Sequence, residues 1–316
     1  MLILRLPRVV CAAGVRGGVE AAPKGPFSRR MAPMLCLFRN ELPNPAHIGA
    51  GTSVKLFIRK SGAPSASDAV ARAIILKHLL VSALATPPPA FLAGLVADST
   101  ASERQVLLDE LQARRHESVR TLQQSGLWEL MSSAERAFLT ISPEAVSEQA
   151  QRDVSWLMEG AECLLWALGH VDALPPYDTQ AEIDHLKRLP AGSVRDAQRS
   201  ATLRDLKALS AARDVAELWH WRSRTRQLIE NASPVTAPRG MSLSDVVRLA
   251  AEQAASRGDI PAAVEEDFPV FGRSYARASA EQWAQATSIA QERHRALNWL
   301  CGYAPRNRWH DTPTDT

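Results

Sequence analysis

Cysteine is scarce in this sequence, and its spacing excludes the usual roles of paired cysteines. The four residues, Cys11, Cys36, Cys163 and Cys301, lie far apart and form no CxxC pair. A disulfide framework or a cysteine-based zinc site needs closely grouped thiols. Because free thiols suit a reducing compartment, a cytoplasmic location is expected.

The sequence also lacks long apolar runs and a strong excess of one charge. No continuous run approaches the roughly 18 apolar residues that a membrane-spanning helix needs. With 37 basic and 34 acidic residues, the formal net charge is +3, which is too small to favour nucleic acid or an anionic membrane as a partner. A partner, if there is one, is expected to be another protein.

The basic stretch 217–226 does not change that expectation. Trp219, Arg222 and Arg226 fall on neighbouring positions of one helix face, an arrangement that can stack on and neutralise nucleic acid. With so small a net charge, we interpret it as a solvated face with one tryptophan packed beneath the arginine stems.

Common catalytic signatures are missing as well. The chain contains no GxxxxGK[ST], HExxH or GxSxG segment. Their absence excludes the common P-loop NTPases, zinc metalloproteases and α/β-hydrolases. We therefore predict no cofactor and no bound metal.

What the sequence does contain is helical periodicity. From Asp68 onward apolar residues recur at helical intervals, and no long alternating pattern occurs, so the predicted fold is mostly α, an irregular multi-helix bundle with few or no strands. The triplet Ser142-Pro143-Glu144 predicts the start of one long helix. Ser279 with Gln282 predicts the capping box of the last helix.

The periodicity also divides the chain. Residues 65–316 are predicted to form a single helical domain. Residues 1–64 are a basic, low-complexity extension rich in Gly, Pro, Arg and Ser. Their composition is typical of a disordered segment or a targeting segment, and a start codon assigned too early is the third interpretation.

A carboxylate stands out in the segment 153–169. On a helical wheel Trp156, Cys163 and Trp166 fall together, and Glu159 falls between them. An isolated buried carboxylate is costly, so Glu159 needs a cationic or hydrogen-bonding partner. It is either a general base or metal ligand, or a structural carboxylate paired with an arginine or an indole N–H, and we favour the structural interpretation.

The last helix contains a similar anomaly. His294 projects close to the centre of an apolar stripe, and Arg293 and Asn298 flank it. We prefer a hydrogen-bonded histidine that ties helices together over a polar site facing inward. In the tail, oxygen ligands for a hard cation could come from Asp311, Asp315 and the terminal carboxylate, with the hydroxyls of Thr312, Thr314 and Thr316. Trp309 instead favours docking of the tail against the protein.

Four segments together resemble a known bacterial family, the domain of unknown function 4272. They are WLMEGAECLLWALG (156–169), DFPVFGRSY (267–275), ERHRALNWLCGY (292–303) and WHDTPTDT (309–316). The resemblance implies a helical domain that begins after the extension, and it brings no activity with it. His310 and Arg295 depart from the family pattern. The positions that match its motifs are Trp156, Glu159, Arg293, His294, Asn298, Trp299, Asp311, Thr314 and Asp315.

Two functions follow as expectations. The first is a soluble, non-catalytic interaction or scaffold protein in which Glu159, Arg293, His294 and the tail form a buried polar network. The alternative is a hydrolase-type enzyme that uses Glu159 and His294 as acid/base groups or metal ligands. A solvent-accessible cleft lined by Glu159, His294 and Asp311 would favour the enzyme.

Overall fold

The computed structural model describes residues 62–97, 99–189, 193–232 and 240–315. Within these ranges the fold is mostly α-helical, as predicted, and contains nine α-helices. They are α1 (Ala66–Ala85), α2 (Pro89–Ala97), α3 (Ala101–Gln124), α4 (Ser133–Thr140), α5 (Glu148–Ala167), α6 (Val194–Ser200), α7 (Leu206–Glu230), α8 (Leu243–Arg257) and α9 (Ala280–Leu300).

One small hairpin interrupts the helices between α8 and α9. Strands β1 (Pro269–Val270) and β2 (Arg273–Ser274) pair antiparallel, with Val270 opposite Arg273. The two-residue turn between them has φ of 50° at Phe271 and 72° at Gly272, as a type I′ turn requires. Asp178 holds this turn from outside, because its Oδ2 accepts the N–H of Phe271 at 2.8 Å.

Helix α9 lies at the centre of the packing. It contacts α7 on one side and α5 on another, and α5 in turn packs against α1. Ile289, Ala296, Leu297 and Leu300 of α9 are fully buried. The last helix of the chain is therefore a core element, and polar residues on it must find partners inside the protein.

The two predicted helix starts have different outcomes. The capping box at Ser279 is confirmed: its Oγ accepts the N–H of Gln282 at 3.2 Å, and Gln282 accepts the N–H of Ser279 at 3.0 Å. The start at Ser142 is wrong. Residues Pro143–Ala145 form a short 3₁₀ turn, and α5 begins only after Ser147, whose Oγ accepts the N–H of Ala150. Proline in a first turn fits a 3₁₀ turn as well as an α-helix.

Helix α1 is unusually apolar. The window 66–94, which extends beyond α1 into α2, is long and apolar enough to cross a membrane by length and composition. The segment contains no uninterrupted apolar run of that length, because Arg72 and Lys77 break it. Of an 18-residue window within it that passes this test, 67% is buried inside the protein, so the segment has the character of a core helix and does not indicate location.

Residues 1–61, which make up nearly all of the predicted N-terminal extension, lie outside the described residues. The interpretation of that extension, and of 65–316 as a single domain, stays a prediction.

Candidate functional site

The carboxylate of Glu159 on α5 forms a buried ion pair with Arg293 on α9. The Nε and Nη2 atoms of Arg293 lie 2.9 and 2.8 Å from Oε2 of Glu159. The other carboxylate oxygen, Oε1, accepts the backbone N–H of Ala181 at 2.9 Å. The side chains are 2% and 0% exposed, so both oxygens of Glu159 are occupied by protein groups away from solvent.

Arg293 also holds the loop that follows α5. Its Nη1 donates to the carbonyl of Pro175, with a longer contact to Pro176, and its Nη2 donates to the carbonyl of Thr179 at 3.0 Å. The guanidinium lies over the ring of Tyr177, 4.9 Å from its centroid. One arginine thus bonds three loop carbonyls and one carboxylate, which fixes the loop against α9.

His294, the next residue of α9, points into a different polar cluster. Its Nδ1 lies 3.1 Å from Nδ1 of His220 on α7, and its Nε2 lies 2.9 Å from Nδ2 of Asn298. Asn298 accepts from Nε of Arg213 through Oδ1 at 2.9 Å and donates from Nδ2 to the carbonyl of Pro313 at 2.9 Å. The cluster therefore joins α7, α9 and the tail.

The hydrogen-bond pattern assigns the protons in this cluster. Because Oδ1 of Asn298 must accept from Arg213, Nδ2 is the donor, and Nε2 of His294 must be its acceptor. His294 then has its proton on Nδ1 and donates it to Nδ1 of His220. Both imidazoles must be neutral for this chain of bonds to exist.

Burial enforces the same charge state. Burial, with smaller effects of the neighbouring His220 and Arg213, lowers the pKa of His294 to about 3. Burial likewise lowers the pKa of His220 to about 4, with Arg224 and Arg295 acting in the same sense. A desolvated imidazolium beside arginines is disfavoured, so both histidines are neutral at pH 7.

The tail docks through Trp309, which is buried. Its ring meets the ring of Trp299 edge to face at a centroid distance of 5.3 Å, and the guanidinium of Arg72 lies 4.7 Å from its centroid. On its other side the ring lies so close to Gly160 that a Cβ there would be 3.4 Å from it. The indole N–H of Trp299 donates to the carbonyl of Asn307 at 3.1 Å, which fixes the chain just before the tail.

The acidic residues of the tail do not join the buried clusters. Asp311 and Asp315 are exposed, and Thr314 is half-buried. Asp311 pairs with the neighbouring Arg308 at 3.2 Å. Across the described ranges, no group of three or more His, Cys, Asp or Glu side chains is placed to share a metal ion.

Trp156 lies elsewhere, in the wall of an open cleft of about 540 Å³ that we call the aromatic cleft. Helices α4, α5 and α9 and the tail form it. Glu292 lies in it beside Arg295, at 3.0 Å, and burial raises the pKa of this carboxyl. Its other lining residues include Phe138, Asp153, Trp309, Thr312 and Thr314.

A family model, the domain of unknown function DUF4272, matches residues 60–243 of this chain, which is more than half of it. The chain belongs to the DUF4272 family. The match includes Trp156 and Glu159 but ends at residue 243, so the motifs at 267–275, 292–303 and 309–316 lie outside it. No curated protein matches the chain, and no solved structure does.

In this DUF4272 chain the structure joins some of the predicted site residues and separates others. Glu159 and Arg293 form one cluster, His294 and Asn298 form a second, and Trp299 and Trp309 form a third. Asp311, Thr314, Asp315 and Trp156 lie outside the three. No solvent-accessible cleft lined by Glu159, His294 and Asp311 occurs in the described part of the chain.

The sequence reasoning missed partners on α7. His220 lies one residue from Trp219, inside the stretch interpreted as a solvated face, and that interpretation is wrong. Trp219 is buried, and Arg222 makes two 2.6 Å bonds to the carboxylate of Asp267. Asp267 also accepts the N–H of Phe268 at 2.7 Å. One signal for this contact was available in the sequence. Asp267, the first residue of the segment DFPVFG, is an acid that the basic residues of this helix face could neutralise.

Proposed function

We propose that this DUF4272 protein is a non-catalytic interaction protein. Its buried polar clusters fix the tail, and the aromatic cleft beside Trp156 receives a segment of a partner protein. The proposal rests on the two side chains suited to acid/base chemistry, because their capacity for hydrogen bonds is fully used within the protein. Glu159 and His294 have all their polar atoms bonded within the protein, and both are shielded from water.

That saturation weighs against the hydrolase alternative. A general base must reach its substrate directly or through one water. For Glu159 this would require the loop held by Arg293 to leave. For His294 it would require breaking the bonds to His220 and Asn298. Glu159 and His294 also belong to separate clusters, so they are not arranged as an acid/base pair.

The aromatic cleft supports the binding role. Concave sites with aromatic walls and a few polar groups are typical of specific recognition. Trp156 is half-buried, which leaves part of its ring for a partner. Asp153, Glu135 and Glu292 supply carboxylates around it, and Arg295 pairs with one of them. The tail that forms one wall is fixed by Trp309, so little ordering is needed on binding.

The test compares two tryptophans that differ in position. Trp156→Ala removes the wall of the cleft, and Trp128→Ala removes another half-buried tryptophan that does not line it. A partner protein captured by the wild type and identified by mass spectrometry should bind Trp128→Ala equally and Trp156→Ala at least about tenfold more weakly. Thermal unfolding of both variants checks that the fold is intact.

The same experiment can reject the proposal. If the two tryptophan variants bind the partner alike, the cleft is not the docking site. The enzyme alternative is correct if the purified wild-type protein hydrolyses a substrate and Glu159→Gln or His294→Gln abolishes that hydrolysis at an unchanged melting temperature.

A further inference from the structure

A second cleft, of about 680 Å³, lies on the other side of Trp309, and we propose that it binds the phosphate group of a small molecule. We call it the arginine cleft. It is formed by α1, the start of α4 and the turn Pro305–Asn307. Its lining includes Arg72, Arg136, Arg306, Arg308 and His310. This ligand site is independent of the docking role proposed above.

The arginines at the rim are weakly paired. Arg136 lies 3.6 Å from Glu129, and Arg308 makes one 3.2 Å contact with Asp311. Among the residues that the structure describes, Arg306 forms no ion pair. Single-contact ion pairs at the surface contribute little to stability. A dianion that bonds two of these arginines at once therefore gains more than the pairs that it displaces.

The two acids in the lining of the cleft, Asp68 and Glu129, already have partners within the protein. Asp68 serves the capping box of α1, where its Oδ2 accepts the N–H of Ser65 at 2.7 Å, and the same atom accepts from Asn307 at 3.4 Å. Glu129 is exposed, and within the described ranges its ion-pair partner is Arg136 at 3.6 Å. With Glu135 and Asp311, which pair with Arg72 and Arg308, four carboxylates balance the four arginines. A phosphate would therefore be held by the hydrogen-bond donors of Arg136 and Arg306 and not by a net positive charge.

Two donors deeper in the cleft also suit an oxyanion. Arg72 is 4% exposed, and its Nε is buried without a hydrogen-bond partner, although its other nitrogens bond Glu135. Ser133 is the first residue of α4, and its backbone N–H has no acceptor within the helix. That N–H lies at the positive end of the helix dipole, where the carboxylate of Glu135 already accepts the N–H of Ser132 at 2.8 Å and leaves the N–H of Ser133 to another acceptor.

The turn that carries Arg306 is held in an uncommon conformation. Arg306 has φ of 54° and Asn307 has φ of 57°, and left-handed backbone is unfavourable for residues other than glycine. Strain of this kind tends to persist where it positions a functional group. Here it places the exposed Arg306 in the lining of the cleft.

One acceptor points to an ester of phosphate rather than the free ion. Oδ1 of Asn307 is buried and has no partner, so it can accept a hydroxyl from the molecule that carries the phosphate. The volume of the cleft lies within the range of small-molecule sites, about 300–1,000 Å³. A sugar phosphate fits these two requirements.

The test is calorimetric titration of the purified protein with inorganic phosphate, pyrophosphate, glucose 6-phosphate and glucose, at one ionic strength set with sodium chloride. Saturable binding of the phosphate compounds, but not of glucose, is expected. Equal affinity for phosphate and the ester assigns free phosphate as the ligand. Tighter binding of glucose 6-phosphate assigns the ester.

Variants locate the site. Arg306→Gln and Arg308→Gln change exposed side chains, so the fold should survive. Each should weaken binding about tenfold. The matched control is Arg152→Gln, an exposed arginine of α5 that does not line the cleft. The proposal is overturned if no phosphate compound binds up to about 10 mM, or if all three variants weaken binding equally.

Discussion

The neutral pair His220 and His294 predicts a loss of stability as the pH falls below 6.5. An unfolded histidine titrates near its ordinary pKa of about 6.5, whereas in the folded protein burial lowers the pKa values to about 4 and about 3. Between those limits the unfolded state binds more protons. The free energy of unfolding therefore rises with pH in this window and falls as acid is added.

The magnitude follows from these pKa values. Between pH 6 and pH 5, protonation of each histidine stabilises the unfolded state by about 1.2 kcal/mol. The folded state gains almost nothing, because its two histidines stay neutral in this range. Together the two histidines should destabilise the protein by about 2.4 kcal/mol over that one pH unit. Glutamine in place of His294 should halve this contribution, to about 1.2 kcal/mol.

The assay is urea unfolding followed by tryptophan fluorescence at several pH values between 5 and 7. Other groups titrate nearby: burial lowers the pKa of His78 and of His170, and it raises that of Glu292. The measured quantity is therefore the difference in pH dependence between the wild type and His294→Gln. Parallel curves for the two proteins would refute the reasoning. The exposed His116, replaced by glutamine, is the matched control.

Three further predictions concern buried groups. Glu159→Gln leaves the guanidinium of Arg293 unpaired and should lower the stability, measured by calorimetry, by about 3–5 kcal/mol. Adding Arg293→Met should recover part of that loss, and equal stability of the wild type and the single variant would contradict the prediction. Trp309→Ala should cost about 3–5 kcal/mol and speed limited proteolysis of the tail, and an unchanged cleavage rate would count against docking. Burial raises the pKa of the Cys163 thiol, so iodoacetamide should label it far more slowly in native protein than in urea; labelling at equal rates would disprove its burial.

The sequence predicted those parts of the fold that depend on local chemistry. The capping box at Ser279 is formed by side chains three residues apart, so its residues alone define it. The failure at Ser142 has a local cause too. Ser142 and Ser147 both suit a helix start, so the local sequence does not decide between them, and Val146 between the two is buried by packing against the rest of the protein.

For the candidate site the sequence predicted types of partner but not their identity. An arginine was a foreseeable partner of Glu159, because a buried carboxylate requires a cation or donors. That it is Arg293, separated by 134 positions, depends on how α5 and α9 pack. The N–H of Ala181 is beyond pattern reasoning, since any loop can offer a backbone donor. His220 was missed because neighbouring tryptophans and arginines suggested a surface.

The polar clusters explain how one tail position is selected. Apolar burial is non-directional, so the ring of Trp309 alone would stabilise docking without fixing the register of the chain around it. The bonds from Asn298 to the carbonyl of Pro313 and from Trp299 to that of Asn307 are directional, and each specifies a single backbone atom. Trp309 and His310 line both clefts. A slip of one residue in the tail would therefore reshape both clefts, and the buried network resists it.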